Sequence, residues 1–213
     1  MIVGEWRVNH DSESEEASLI EKKRRKIVFF REAEASHVHE TDVMENVFSP
    51  RVGAALSRMG EDGYAEGYVL KCLFRSPDPN GFSLTYVWFK ANFPLPPHRH
   101  NTDCLYYLIS GEIKMGSRVL RTGDGFFLPA EAGYSYTPGK EGVELLEFRA
   151  SSRFNIEIPD GTPEMWERFA MICATNRELW RTQLPPSRSD SRHSVDQSEV
   201  SDKSATIPDS ASH

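Results

Sequence analysis

The sequence has few cysteines, no excess of positive charge and no long apolar run, and each shortage excludes a class of protein. Its 213 residues include three cysteines, too few for a disulfide framework, and together with an N-terminus that turns acidic at once they predict a reducing, cytoplasmic setting. The longest apolar run is six residues, 169–174, far below the roughly 20 that a membrane-spanning helix needs. The formal net charge of -7 argues against a nucleic-acid-binding protein, which would present a basic face.

The length corresponds to one globular domain with polar extensions. Residues 1–26 are polar and suit a short exposed helix, and their basic run at 22–26 is interpreted as a solvated helix face, with a nuclear address as the alternative. Residues 184–213 contain nine serines and no aromatic residue. A segment of this composition buries too little apolar surface to offset the entropy of ordering, so it is predicted to be a disordered tail.

Short strand-like runs separated by Gly, Pro and Asn predict an all-β barrel or sandwich over residues 27–160. A helix is predicted over residues 161–183, because Thr162 can cap it, Pro163 suits its first position, and apolar residues follow at three-to-four spacing. The strand-like runs are residues 27–31, 67–75, 82–92, 104–110, 118–120, 134–137 and 143–149.

The most informative pattern is the pair His98 and His100. In an extended chain, residues two apart project from the same face, so both imidazoles would point together into the barrel and could bind one metal ion. Imidazole pairs suit iron, copper, zinc or nickel, and the remaining ligands must come from elsewhere in the fold.

Residues 96–111 resemble the first cupin motif, G-x5-H-x-H-x3or4-E-x6-G, with Asn92 at the position of its opening Gly. Residues 123–134 resemble the second motif in their Gly-Asp opening and in Pro129. The chain is therefore similar to the RmlC-like cupin superfamily over residues 68–150. Residues 70–81 resemble the upstream strand of the subgroup that includes anti-sigma-factor cupin domains, acetylacetone dioxygenase and dihydroxyacetophenone dioxygenase. The resemblance implies a double-stranded β-helix, the cupin jelly-roll barrel.

Two positions depart from the ligand set that the resemblance implies. Cys104 stands where the motif has its Glu, and Tyr134 stands where the second motif has its His. Cys104 shares strand parity with the two histidines, so it is expected either to supply a thiolate as third metal ligand or to fill the core as a small apolar side chain. Asp103 is the other nearby candidate, and it would need a local bulge to turn inward.

Aromatic and acidic side chains complete the candidate site. Tyr134 is expected to orient a substrate or donate to a developing oxyanion, or else to form an aromatic wall. Glu144 and Glu147 have opposite strand parity, so at most one faces the interior, and solvent exposure is expected for both. A second His-x-His, His37 and His39, is interpreted as part of a polar edge strand, with extra ligands at the mouth of the barrel as the alternative. The residues expected to line the substrate pocket are Tyr106, Tyr136, Phe89 and Trp88.

Three functions are compatible with these residues. The first is a metal-dependent oxidoreductase of dioxygenase type, in which His98, His100 and Cys104 bind Fe(II) or another divalent transition metal and Tyr134 acts on a small-molecule substrate. The second is a metal-free cupin that binds or senses a small molecule. The third is a His/Tyr acid-base catalyst, similar to the dTDP-sugar epimerases. A homodimer is expected through the N-terminal strand at residues 27–31, without nucleic-acid or membrane partners.

Overall fold

The structure is a computed structural model, and it describes residues 27–189. The described residues fall into two separate units, 27–31 and 32–189, and the candidate site lies entirely in the second. The predictions for residues 1–26 and 190–213 lie outside the described part of the chain.

The predicted strand at residues 27–31 is wrong, because these residues have no strand structure. Ile27, Val28 and Phe29 are exposed. A run of β-prone residues becomes a strand only when a neighbouring strand accepts its ladder hydrogen bonds, and a sequence run does not supply that neighbour. The homodimer predicted from this strand stays a prediction without that support.

Strands account for most of the regular structure in the second unit, which confirms the prediction of a mainly-β fold. A six-stranded antiparallel sheet has the order β2-β3-β7-β4-β5, with β6 also paired to β4, while β1 and β8 form a separate parallel pair. The elements are β1 Met44–Phe48, α1 Pro50–Glu61, β2 Tyr68–Arg75, β3 Ser83–Phe89, β4 Cys104–Met115, β5 Arg118–Arg121, β6 Gly125–Leu128, β7 Thr137–Arg149, β8 Phe154–Ile158 and α2 Pro163–Thr182.

The central strands β3, β7 and β4 place the site. Their register sets Thr85 opposite Glu147 and Glu147 opposite Tyr106, so these three residues form one rung across the sheet. Side chains directly opposite one another on neighbouring strands share a face. The rung therefore directs a hydroxyl, a carboxylate and a phenol to the same side of the sheet.

The two histidines lie in an extended segment outside the named strands. His98 forms an antiparallel bridge with Tyr134, in which the His98 amide donates to the Tyr134 carbonyl at 3.1 Å and the Tyr134 amide donates back at 3.0 Å. Arg99 bridges to Glu157 of β8. Burial alternates along this segment, with His98 and His100 buried and Pro97 and Arg99 exposed, so the two imidazoles share the inner face as their spacing predicts.

The C-terminal helix α2 begins where the sequence predicts. The hydroxyl of Thr162 accepts a hydrogen bond from the amide of Met165 at 3.3 Å, and Pro163 occupies the first helical position. Trp180 near the other end is fully buried, and its indole N–H donates to the carbonyl of Ala91 at 2.9 Å. The helix thereby packs its apolar side against the same core cluster that contains the barrel residues. No helix within residues 27–189 is long and apolar enough to cross a membrane.

Sequence reasoning missed the strands β1, β6 and β8 and the helix α1. The signal for α1 was present, since Ser49 caps the helix by accepting from the amide of Val52 and Pro50 is its first residue. The same cap-and-proline pattern identified α2. β1 has no comparable signal, because four of its five residues are exposed and its pairing partner β8 lies over 100 residues further along the chain.

Candidate functional site

A cavity of about 350 Å³ lies inside the barrel, at the lower end of the roughly 300–1,000 Å³ typical of small-molecule sites. One part of its wall is polar, with two imidazoles, a phenol and an ion pair. Most of the remaining wall is apolar and includes side chains from α1, β8 and the segment before His98. The polar residues are His98, His100, Tyr134, Glu147 and Arg149, and the apolar ones include Leu56, Phe93, Leu95, Ile156 and Ile158.

Backbone carbonyls fix the orientation of both imidazoles. Nδ1 of His98 donates to the carbonyl of Pro96 at 2.8 Å, and Nδ1 of His100 donates to the carbonyl of Asn155 at 2.5 Å. A carbonyl oxygen can only accept, so each Nδ1 carries the proton and each Nε2 presents a lone pair. The two rings are 5.0 Å apart between centroids.

The hydroxyl of Tyr134 lies where both Nε2 lone pairs converge. It is 2.8 Å from Nε2 of His98 and 3.3 Å from Nε2 of His100. It is also 2.5 Å from the hydroxyl of Tyr106. Tyr134 has one proton, and the shorter contact assigns it to His98, so Tyr106 donates to Tyr134 and the lone pair of His100 receives no strong donor.

Burial keeps these groups neutral. Desolvation lowers the pKa of His98, and desolvation followed by the positive charge of Arg149 lowers the pKa of His100 to about 3. Desolvation, reinforced by the Glu147 carboxylate, raises the pKa of both Tyr134 and Tyr106 above the ordinary tyrosine value. At neutral pH the cluster therefore contains two neutral imidazoles and two neutral phenols.

A buried ion pair lies beside this cluster. Nη2 of Arg149 is 2.7 Å from Oε2 of Glu147, and the two side chains are 3% and 6% exposed. The hydroxyl of Thr85 donates to Glu147 at 3.1 Å and accepts from Nη1 of Arg149 at 3.0 Å. The guanidinium also lies over the ring of Phe154, with Cζ 3.9 Å from the ring centroid. Burial alone would lower the pKa of Arg149, but the Glu147 carboxylate holds it above its ordinary value.

The side chains do not fit a resident divalent metal. The described residues, 27–189, contain no group of three His, Cys, Asp or Glu side chains placed to hold one ion. The point where the two Nε2 atoms converge is taken by the Tyr134 hydroxyl. The predicted ligand set of His98, His100 and Cys104 is therefore not formed.

Cys104 is buried away from the cavity wall. It packs with Tyr106 and Leu128, and burial raises the pKa of its thiol to about 12. It therefore stays a thiol and fills space, which is the apolar alternative that its sequence position left open. Asp103 is exposed, and its carboxylate accepts from the amide of Ala130 at 2.8 Å, so it does not turn inward either.

The structure distributes the predicted pocket residues over three environments. Phe89 and Tyr136 line the cavity. Tyr106 lies behind the cavity wall, stacked on Phe126 with ring centroids 4.3 Å apart, and reaches the site through its hydroxyl. Trp88 does not line the cavity, and its ring lies beneath the ammonium group of Lys90 at 4.7 Å. The assignment of Trp88 to the pocket is wrong, because the inward face of β3 carries Val87 and Phe89.

Sequence reasoning missed the pair Glu147 and Arg149. Glu147 was expected to be exposed, and Arg149 was not singled out, because a charged side chain is exposed by default. A usable signal exists, since the two charges share the parity of Val143 and Leu145, which are fully buried. Glu144, also expected to be exposed, is buried on the opposite face, where it accepts from the Tyr86 hydroxyl at 2.7 Å.

The second His-x-His pair does not contribute to the cavity. His37 forms an isolated bridge with Lys71, and its amide donates to the carboxylate of Glu40 at 2.9 Å. The rings of His37 and His39 are 5.4 Å apart, and neither lines the cavity.

Comparison with solved structures yields distant neighbours. An RmlC-like cupin from Shewanella frigidimarina is 21% identical, with 39% of this chain and 76% of that chain covered and a TM-score of 0.32. The polyketide cyclase RemF from Streptomyces resistomycificus is 13% identical, with coverages of 70% and 97% and a TM-score of 0.47. KdgF from Halomonas sp. is 20% identical, with coverages of 59% and 95% and a TM-score of 0.38.

All three TM-scores are below 0.5, so these neighbours do not carry an argument about the activity of this chain. No protein-family model matches the chain, and no curated protein matches it. The subgroup of anti-sigma-factor cupin domains and diketone dioxygenases is not singled out by the neighbours, so that part of the resemblance stays a prediction. The activity must be argued from the cavity itself.

Proposed function

We propose that the cavity of this chain, whose motifs resemble those of cupins, performs metal-independent acid-base chemistry on a small carbonyl compound. The observation that carries the proposal is the Tyr134 hydroxyl between the two Nε2 atoms, at 2.8 and 3.3 Å. A neutral imidazole and a neutral phenol in hydrogen-bond contact are a base and an acid held ready in one site.

His100 is the proposed base. Its Nε2 has a lone pair that no strong donor occupies, and the residue lines the cavity. It would take a proton from a carbon next to the carbonyl, and the electron pair of that C–H bond would move to the carbonyl oxygen. The imidazolium would then return the proton to carbon, at the same or another position, so the reaction is an isomerisation without net oxidation.

Tyr134 is the proposed acid. Its hydroxyl would leave His98 and donate to the carbonyl oxygen as that oxygen becomes an enolate. The Tyr106 hydroxyl, 2.5 Å behind it, supports the shift because a phenol that accepts a hydrogen bond is a better donor. Negative charge on the enolate also favours protonation of His100, whose pKa of about 3 otherwise makes it a weak base. The base therefore strengthens as the transition state forms.

The test is deuterium exchange. The full chain is incubated in deuterated buffer with acetylacetone, phenylpyruvate and 2-hydroxyacetophenone, and exchange next to the carbonyl is followed by proton NMR against buffer alone. We expect exchange that His100→Gln and Tyr134→Phe each reduce by about two orders of magnitude. Tyr107→Phe is the matched control, since Tyr107 is on the same strand as Tyr106 and its side chain is exposed.

Two outcomes would replace the proposal. Binding of these compounds with no exchange above buffer indicates a small-molecule-binding cupin without turnover. Exchange or oxygen uptake that appears only when Fe(II) or another divalent metal is added indicates the metal-dependent oxidoreductase that the resemblance to dioxygenases implies. Elemental analysis of the natively purified chain accompanies both measurements.

A further inference from the structure

The Arg149 guanidinium is more than a partner for Glu147. A guanidinium has five N–H groups, and the described residues supply acceptors at Nη1 and Nη2 while Nε has no hydrogen-bond partner. Arg149 is 3% exposed and belongs to the cavity wall. A buried donor without a partner is uncommon, because it keeps the full cost of desolvation.

A second unpartnered polar atom lies on the same rung of the sheet. Ser83 is directly opposite Arg149 in the pairing of β3 with β7. It is fully buried, and its hydroxyl has no hydrogen-bond partner among the described residues. Of these two residues, Arg149 lines the cavity, so it is the one that a polar group of a ligand could meet.

Arg149 brings a positive charge to the cavity wall, and its partner Glu147 lies beside it in the same wall. The Arg149 charge opposes protonation of His100, even though Glu147 neutralises the guanidinium formally. Most of the remaining wall is apolar and includes Leu95, Phe93 and Ile158. An apolar body with one anionic end matches both parts of the wall.

We propose that the cavity binds a small organic carboxylate, with the carboxylate on Arg149 and the hydrocarbon part against the apolar wall. This inference names the substrate class of the proposed function, and the claim that the carboxylate is a substrate rests on that function. Binding and turnover are measured separately, so either can fail alone. An oxo acid is the member of this class that also offers His100 an acidic carbon.

The test is binding of matched acids and amides to the full chain. Phenylacetate, 3-phenylpropanoate and hexanoate are compared with their primary amides by isothermal titration calorimetry at pH 7.5. We expect at least one acid to bind roughly tenfold or more tightly than its amide, as expected for one charge-assisted contact. The Arg149→Met/Glu147→Gln double variant should lose that preference and keep its affinity for the amide within about threefold.

Controls separate recognition from folding. Arg153→Met removes an arginine whose side chain is 62% exposed, and it should keep the preference. Arg149→Lys keeps the charge and should retain part of the preference, which covers the case in which the double variant does not fold. The proposal is overturned if no acid is preferred over its amide by the wild type, or if the preference survives in the double variant. Acid preference without deuterium exchange would leave this inference standing and remove the acid-base function.

Discussion

The hydroxyls of Tyr106 and Tyr134 are 2.5 Å apart, and the second of them lies within hydrogen-bond reach of two imidazoles. The two tyrosines come from different parts of the barrel, since Tyr106 is on β4 and Tyr134 precedes β7. Two hydrogen bonds follow one another, because the Tyr106 hydroxyl donates to Tyr134 and the Tyr134 hydroxyl donates to Nε2 of His98. This order leaves His100 as the group able to accept a proton from a ligand.

Tyr106→Phe tests this order. The substitution removes the donor behind Tyr134 and keeps the ring that stacks on Phe126. Exchange in deuterated buffer should fall by about tenfold, less than for Tyr134→Phe, because Tyr106 acts through another hydroxyl and does not touch the ligand. A fall equal to that of Tyr134→Phe would instead place Tyr106 in contact with the substrate. Measuring kcat and KM separately distinguishes the two roles, since loss of a positioning residue should reduce kcat and leave KM within about threefold.

The part of the site that sequence could predict is the part that depends on local spacing. His98 and His100 lie two residues apart in an extended chain, and this spacing alone places both rings on the inner face. The start of α2 at Thr162 and Pro163 depends on neighbouring residues in the same way. Local spacing determines the direction in which a side chain points, so these predictions did not require knowing which strands become neighbours.

The part that sequence could not predict depends on which strands become neighbours. The rung of Thr85, Glu147 and Tyr106 joins three strands that are distant along the chain. The exposure expected for Glu147 follows from its charge, and only the cross-strand partners explain its burial. The choice between a thiolate ligand and an apolar filler stayed open for Cys104 for a related reason, since parity places the side chain inside and does not tell whether it lies at the cavity or behind it.

Metal removal should have no effect on the proposed activity. The two imidazoles have no third His, Cys, Asp or Glu partner within the described chain, so a chelator such as EDTA should leave exchange and thermal stability unchanged. Elemental analysis should give the same metal content for the wild type and for His98→Ala/His100→Ala. Near-stoichiometric metal that vanishes in the double variant would contradict this and return the dioxygenase hypothesis. Cys104→Ala should leave the metal content unchanged in either case.

Stability should fall as pH drops below about 6.5. The folded-state pKa of His100 is about 3 and that of His98 is also lowered, against an unfolded value near 6.5. Between these values the unfolded chain binds protons that the folded chain excludes, so acid favours unfolding. The stabilising contribution is complete above pH 6.5 and is lost at up to about 1.4 kcal/mol per pH unit for each imidazole as pH falls. Urea unfolding at pH 7.5, 6.0 and 5.0 measures this slope.

His100→Asn isolates one of the two imidazoles. Its slope between pH 6.0 and 5.0 should be shallower than that of the wild type, because one excluded proton is removed. His39→Gln is the matched control, since His39 is exposed, and it should keep the wild-type slope. An unchanged slope in His100→Asn would mean that another group causes the acid sensitivity.

Removing one partner of the buried ion pair should destabilise the fold strongly, and replacing both partners with apolar side chains should change the free energy of unfolding little. Glu147→Ala leaves the Arg149 guanidinium, 3% exposed, without its counter-charge, and the free energy of unfolding should fall by about 3–5 kcal/mol. Glu147→Met/Arg149→Met removes both charges, keeps most of the volume, and should be within about 1–2 kcal/mol of the wild type, because no unpaired charge stays buried. Urea unfolding of the three proteins gives the comparison.

The Glu147→Met/Arg149→Met variant also separates the effect of the ion pair on stability from its effect on ligand recognition. If it is stable but no longer prefers a carboxylate to its amide, the ion pair serves ligand binding at little net gain in stability, as expected for charges held in a small-molecule cavity. If the double variant is as unstable as Glu147→Ala, the hydrogen bonds of Thr85 to both partners contribute more than the charges. Thr85→Val measures that contribution directly, since it removes the hydroxyl and keeps the shape, and a loss of more than about 3 kcal/mol would exceed what one hydroxyl bonded to charged partners provides.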